Sequence, residues 1–229
     1  MNATDTAKLS FRTPSLIRLL HLASPTLPVG AYTYSQGLEW AVETGAVRNE
    51  TTALAWLVDC LEFGVSRFEA VYLAHLLAAW AAGDERRLAQ LDAEFIASRE
   101  TAELRAETLQ MGHSLVRLLT DLGIERAWPE QASFPLAWSG AAAAWNVPAE
   151  EAVAGYLWAW AENQVMAAVK VVPLGQTAGQ RLLLALGERI AGLARAARDT
   201  ALADTRNLLP AFAIACSRHE TQYTRLFRS

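Results

Sequence analysis

The chain has 229 residues, 52% of them hydrophobic and 19% charged, so it can bury one sizeable core and is too apolar to stay disordered. Its 44 alanines against 13 glycines and 8 prolines lean towards helix and all but exclude a β-rich fold. A formal net charge of −4 argues against a general nucleic-acid binder, which needs a basic face to neutralise phosphates, and two cysteines with four histidines give neither a disulfide framework nor a zinc signature.

Asp5, Lys8 and Arg12 interrupt the first fifteen residues, so no signal-peptide core is read there. No stretch offers the about 18–20 continuous apolar residues that span a bilayer. A soluble, cytoplasmic protein is expected, with enough surplus apolar surface to hint at a partner.

Residues 1–13 read as a flexible leading segment. Thr13-Pro14 suits a helix start, because proline lacks an amide hydrogen that would be unpaired there anyway. Leu16, Ile17, Leu19, Leu20 and His21 keep helical spacing until Pro25, Pro28 and Gly30 forbid continuation. A short helix is expected from near Ser35 to Thr44, stopped by Gly45. Asn49 is a good N-cap for one long helix to about Ala82, with Leu54, Leu57, Leu61, Val65, Phe68 and Tyr72 on its stripe. Gly83 and Asp84 supply a stop and a new cap ahead of Leu88, Leu91 and Phe95, and Ser98-Arg99-Glu100 breaks or bends that helix. A helix over about 101–120 carries Leu104, Leu109, Met111, Leu115 and Leu118. Pro129, Pro135 and Pro148 divide the middle around an alanine-rich helix through Ala141 to Ala144. Helices from Pro148 to about Val172 and from Thr177 to Arg198 follow, separated at Pro173-Leu174-Gly175, and Leu208 to Ser217 is again apolar. The expectation is an all-α, single-domain bundle of roughly eight to ten helices over 14–217, followed by a partner-binding tail over 218–229.

No phosphate loop, dinucleotide fingerprint, nucleophile elbow or H-E-x-x-H pattern occurs. Glu39, Glu43, Asp59 and Glu62 stand at helical spacing and read as a solvated face or as partners of nearby arginines. His21, His75 and His113 have no second histidine four residues away and read as structural. Cys216 and His219 are candidate metal ligands, yet two ligands do not make a site unless a dimer axis doubles them. An all-helical metal-binding enzyme built on Cys216, His219 and a carboxylate such as Glu220 is therefore the alternative to a scaffold. Lys170 is one of only two lysines and ends an apolar run, which suits a snorkelling side chain or a contact group offered to another protein. The final residues interleave Tyr223, Leu226 and Phe227 with Arg225 and Arg228, the residue types of interface anchors, so docking onto a partner is favoured over folding back.

Three segments, in order, carry a resemblance: Leu22–Gly30 (LASPTLPVG) with Tyr32–Glu39 (YTYSQGLE), Lys170–Gln180 (KVVPLGQTAGQ), and His219–Ser229 (HETQYTRLFRS). Together they resemble the urease accessory protein UreF family, with Ser98–Glu100 as a fourth match. The resemblance implies an all-helical homodimer without catalytic activity that binds UreD, called UreH in some organisms, and with it recruits the GTPase UreG to apo-urease. It also implies that UreF modulates the GTPase step and helps to form an internal route for nickel, which the assembled complex handles without a stably bound cofactor in this chain. Carried over by position, Lys170, Pro173, Gly175, Gln176 and Gln180 would face UreG. Tyr223, Arg225, Leu226, Phe227, Arg228 and Ser229 would order against UreD. Pro28, Gly30, Tyr32, Tyr34, Ser35, Gly37 and Glu39 form the N-terminal motif, placed near the same interfaces. Ser133–Gly140 (SFPLAWSG) departs from the family's wording, and no role is carried onto residues 125–145.

Overall fold

A computed structural model describes residues 13–207 and 209–229; the rest of the leading segment, and Leu208, lie outside the described residues. Helix α1 (Thr13–Leu22) ends where the prolines at 25 and 28 begin, and a 3-10 turn (Ala31–Thr33) follows. Helix α2 (Leu38–Glu43) starts later than the predicted Ser35. Gly37 at φ 76° and Gln36 at φ 50° lie in the left-handed region, so residues 35–37 form a tight turn ahead of the helix. Helix α3 (Glu50–Asp59) has the predicted cap: Thr52 N donates to Asn49 Oδ1 at 3.0 Å and Asn49 N to Thr52 Oγ1 at 3.1 Å.

The predicted continuous helix from Asn49 to Ala82 is broken. A π-helical turn (Cys60–Val65) follows α3, and a new helix, α4 (Glu69–Ala82), begins after Phe68 leaves helical geometry. The local cause is legible: Gly64 is a poor helix former, and the Ser66 hydroxyl donates back to the Glu62 carbonyl at 2.9 Å, competing with the ladder. Gly83 at φ 64° ends α4, and Asp84 Oδ1 accepts from Arg87 N to cap α5 (Glu85–Ala97). Ser98 and Thr101 separate it from α6 (Ala102–Asp121), and Ser133 caps α7 (Phe134–Ala144) with Pro135 in its first turn. Then come α8 (Ala149–Val171), α9 (Gln176–Asp199) and α10 (Pro210–His219).

Helix α8 is the axis of the core. It pairs with α9 across the turn at 172–175 and also packs on α1, α2, α3, α4 and α7. Helix α4 is apolar nearly all round and packs against α5, α7, α8 and α9. Small residues set the close approaches: Ala137, Ala141 and Ala142 of α7 are wholly buried beside Trp138, whose Nε1 donates to the Ala152 carbonyl at 3.1 Å. No strand occurs among the described residues, and no helix is long and apolar enough to cross a membrane.

Candidate functional site

The tight turn at 35–37 receives the end of the chain. Ser35 N, Gln36 N and Ser35 Oγ all donate to the main-chain oxygen of Ser229, at 2.8, 3.0 and 2.6 Å. Gly37 permits this twice over. Its positive φ suits glycine, and a Cβ there would lie 2.8 Å from Cys216 N and 3.0 Å from the Ala215 side chain on α10. Gln36 is fastened on both sides, accepting from Trp160 Nε1 and donating to Glu107 Oε1, each at 2.7 Å.

The tail therefore lies folded back on the chain's own body. Phe227 and Ser229 are buried; Tyr223 is fully exposed, Leu226 is 65% exposed, and Arg225 and Arg228 face outward. Glu39, read from the sequence as part of a solvated face, is half-buried instead. It accepts the main-chain N–H groups of Leu226 and Phe227 at 2.6 and 3.0 Å. Arg228 N donates to the Thr33 carbonyl at 2.9 Å, and Tyr34, buried beside it, donates its hydroxyl to Gln110 Oε1 at 2.7 Å. Burial, then the nearby Glu107 charge, raises the Tyr34 pKa, which keeps that hydroxyl a donor.

Lys170, in the last turn of α8, is exposed and holds its ammonium 5.6 Å from the centre of the Phe227 ring. Pro173, Gly175, Gln176 and Gln180 are all exposed where α8 passes into α9, with Gly175 in the N-cap position of α9. Pro28 and Tyr32 are exposed, and Gly30 turns the chain at φ 78°. One face thus gathers the N-terminal motif, the tail and, through Lys170, the end of α8.

A cleft of about 840 Å³, counted to its open mouth, runs beneath this face. On its wall Arg99 Nη1 donates to Glu69 Oε1 at 2.8 Å, and Tyr156 donates its hydroxyl to Glu69 Oε2 at 2.6 Å. Burial opposes the Arg99 charge, but Glu69, with Glu100 and Glu107 behind it, holds the guanidinium above its ordinary pKa. Burial and the Glu69 charge likewise raise Tyr156, so it stays a neutral donor. Glu107 is different: burial pushes its carboxyl up to about 7 against the pull of its donors Gln36 and Ser229. Gln164, nearly wholly buried, also lines the cleft.

Cys216 and His219 are both buried on α10. Burial raises the Cys216 thiol, disfavouring the thiolate a metal takes. His219 has a carboxylate off each ring nitrogen, Glu103 Oε2 2.8 Å from Nδ1 and Glu39 Oε2 3.4 Å from Nε2, so the two carboxylates lie on different sides of the ring. Among the described residues no group of three or more His, Cys, Asp or Glu side chains is arranged to hold a metal ion.

Sequence reasoning missed Gln36, Glu69, Glu103, Glu107 and Tyr156 as site residues. Two of them left a signal. Glu107 falls on the stripe of Leu104, Met111 and Leu115, and Glu69 on that of Val65, Phe68 and Tyr72, and a charged residue in an apolar register marks a buried pair.

The family model described as UreF matches residues 47–187. A urease accessory protein UreF of Azoarcus sp. (strain BH72) is 60% identical over 223 residues, covering 93% of this chain and 95% of the relative. The urease accessory protein UreF of Dechloromonas aromatica (strain RCB) is 58% identical over 93% of this chain and 97% of its own length. That of Methylobacillus flagellatus is 46% identical over 94% of this chain and 98% of its own. With a family model across most of the core and relatives aligned nearly end to end, the chain belongs to the urease accessory protein UreF family.

Proposed function

We propose that this chain is a non-catalytic scaffold for nickel incorporation into apo-urease, working in the cytoplasm as a homodimer that binds UreD through its tail and recruits and modulates the GTPase UreG near Lys170. The observation that carries this reading is the convergence of the three family motifs: the N-terminal turn holds the tail, and the tail's Phe227 lies under Lys170. A surface with exposed Tyr223, Leu226 and Arg228 beside Lys170 has the anchors of a protein interface. Nickel is cargo here rather than a resident cofactor, and the cleft walled by Glu69, Glu107 and Gln164 is the passage this chain offers it.

Co-expression with UreD and UreG, followed by size-exclusion chromatography and nickel analysis, tests the reading. A stable complex that delivers nickel to apo-urease is expected, with UreD lost when residues 225–229 are deleted. Tight nickel binding by the isolated chain, abolished in a Cys216→Ala/His219→Ala double variant, would replace the scaffold with a metal-binding protein.

A further inference from the structure

The tail is gripped by carboxylates from two helices of the body. Glu39 of α2 takes two consecutive main-chain N–H groups, those of Leu226 and Phe227. Glu103 of α6 accepts Arg225 Nη1 at 2.6 Å, and Glu107, one turn further on, accepts Ser229 Oγ at 2.8 Å. His219 is fully buried between Glu39 and Glu103, and the Glu220 side chain turns back to accept Glu103 N at 3.1 Å.

These contacts fix a register as well as a position. Burial alternates along the tail: Phe227 and Ser229 are buried, while Leu226 and Arg228 are exposed. A slip of one residue would exchange the two sets. Glu39 resists such a slip by pairing one oxygen with each of two neighbouring amides, and Glu103 resists it by holding Arg225. His219 in turn lies between both carboxylates, with Glu103 Oε2 2.8 Å from Nδ1 and Glu39 Oε2 3.4 Å from Nε2.

We propose that Glu103, Glu107 and His219 are positioning residues of the tail: with Glu39 they form a carboxylate seat that fixes residues 225–229 in the one register presenting Leu226 and Arg228, beside Tyr223, to a partner. The surface so presented, aromatic and aliphatic with two guanidinium groups at its edge, fits an apolar groove flanked by acidic side chains. The proposal rests on the reading of the tail as the UreD-binding element, but the seat itself is a property of this chain alone.

The test measures hydrogen–deuterium exchange of the 226–227 amides in the full chain, and capture of co-expressed UreD, for Glu39→Ala, Glu103→Ala, Glu103→Gln and His219→Ala. The alanine variants are expected to speed tail exchange at least about tenfold and to weaken capture by a similar factor. Glu103→Gln keeps an acceptor for Arg225 and is expected to restore most of the protection, which separates positioning from general loss of structure. Because Glu103 keeps some exposure, unlike the fully buried His219, its variants stand even where His219→Ala fails to fold. Unchanged exchange in the Glu39 and Glu103 alanine variants overturns the seat. Faster exchange with undiminished capture overturns its role in presentation. A wild-type chain that captures no UreD overturns the proposed function and leaves the seat standing.

Discussion

Two carboxylate clusters lie on the same side of the molecule and use the same chemistry in opposite ways. On the cleft wall, Glu69 meets Arg99 and Tyr156, with the Glu69 and Arg99 side chains only 11% and 5% exposed. In the seat, Glu103 meets Arg225 with the arginine 38% exposed, a pair closed by the tail. A pair locked between interior helices cannot open without stranding a charge, whereas a pair closed by a tail can open into water at small cost. The first serves the fold and the second can serve exchange of partners.

The sharpest way to break the comparison is Arg99→Met. Removing the cation leaves the Glu69 carboxylate buried and unpaired, a loss of roughly 3–5 kcal/mol, which in a chain of this size lowers the melting temperature by about 10 °C. Thermal denaturation followed by circular dichroism reads this directly. Replacing Glu69 and Arg99 together by Gln and Met is expected to recover most of the loss. Arg225→Ala, by contrast, should barely move the melting temperature, because it removes only a partly exposed pair with Glu103.

Next comes Gly37→Ala, which strikes where the motif turn meets α10. The substitution forces a side chain into a left-handed conformation and against the α10 backbone, where its Cβ would lie 2.8 Å from Cys216 N. A cost of about 2 kcal/mol is expected, and because the turn itself carries Ser35 and Gln36, the tail amides should lose protection with it. A denaturant midpoint unchanged from wild type would show that α10 can move aside freely.

The pH dependence probes Glu107, the one group shared by both clusters. Its folded pKa of about 7 lies above its ordinary 4.5, so the proton is favoured in the folded state. That contribution is complete below pH 4.5 and is lost as pH rises through 7, so stability falls across this window by up to about 3 kcal/mol. Glu107→Gln should flatten the difference in melting temperature between pH 5 and pH 8. An unaltered difference would mean that the carboxyl titrates elsewhere.

How much of this was legible beforehand follows from which forces act locally. Caps announce themselves in sequence, so the starts at Asn49 and Asp84 and the stop at Gly83 were readable from residue type. The break between α3 and α4 was not, because Gly64 and Ser66 only weaken a ladder that the surrounding helices then permit to fail. The motifs, read separately, did not point to one another. That Ser35 and Glu39 hold the tail depends on a contact between residues nearly the whole chain apart, and no local periodicity encodes it.

The smallest effect on stability is expected from Lys170→Met, and its smallness is what makes the experiment useful. Methionine keeps the apolar stem, so the loss is confined to the ammonium over the Phe227 ring. At an exposed site such a contact is worth about 0.5–1 kcal/mol, too little to unseat a tail that Glu39, Glu103, Ser35 and Gln36 also hold. The melting temperature and the exchange of the 226–227 amides should therefore stay close to wild type. If urease activation in cells nonetheless collapses, the lysine acts outward, on UreG. If activation survives, Lys170 is only a lid on Phe227, and the UreG-facing surface must be sought among Pro173, Gln176 and Gln180, which are exposed beside it.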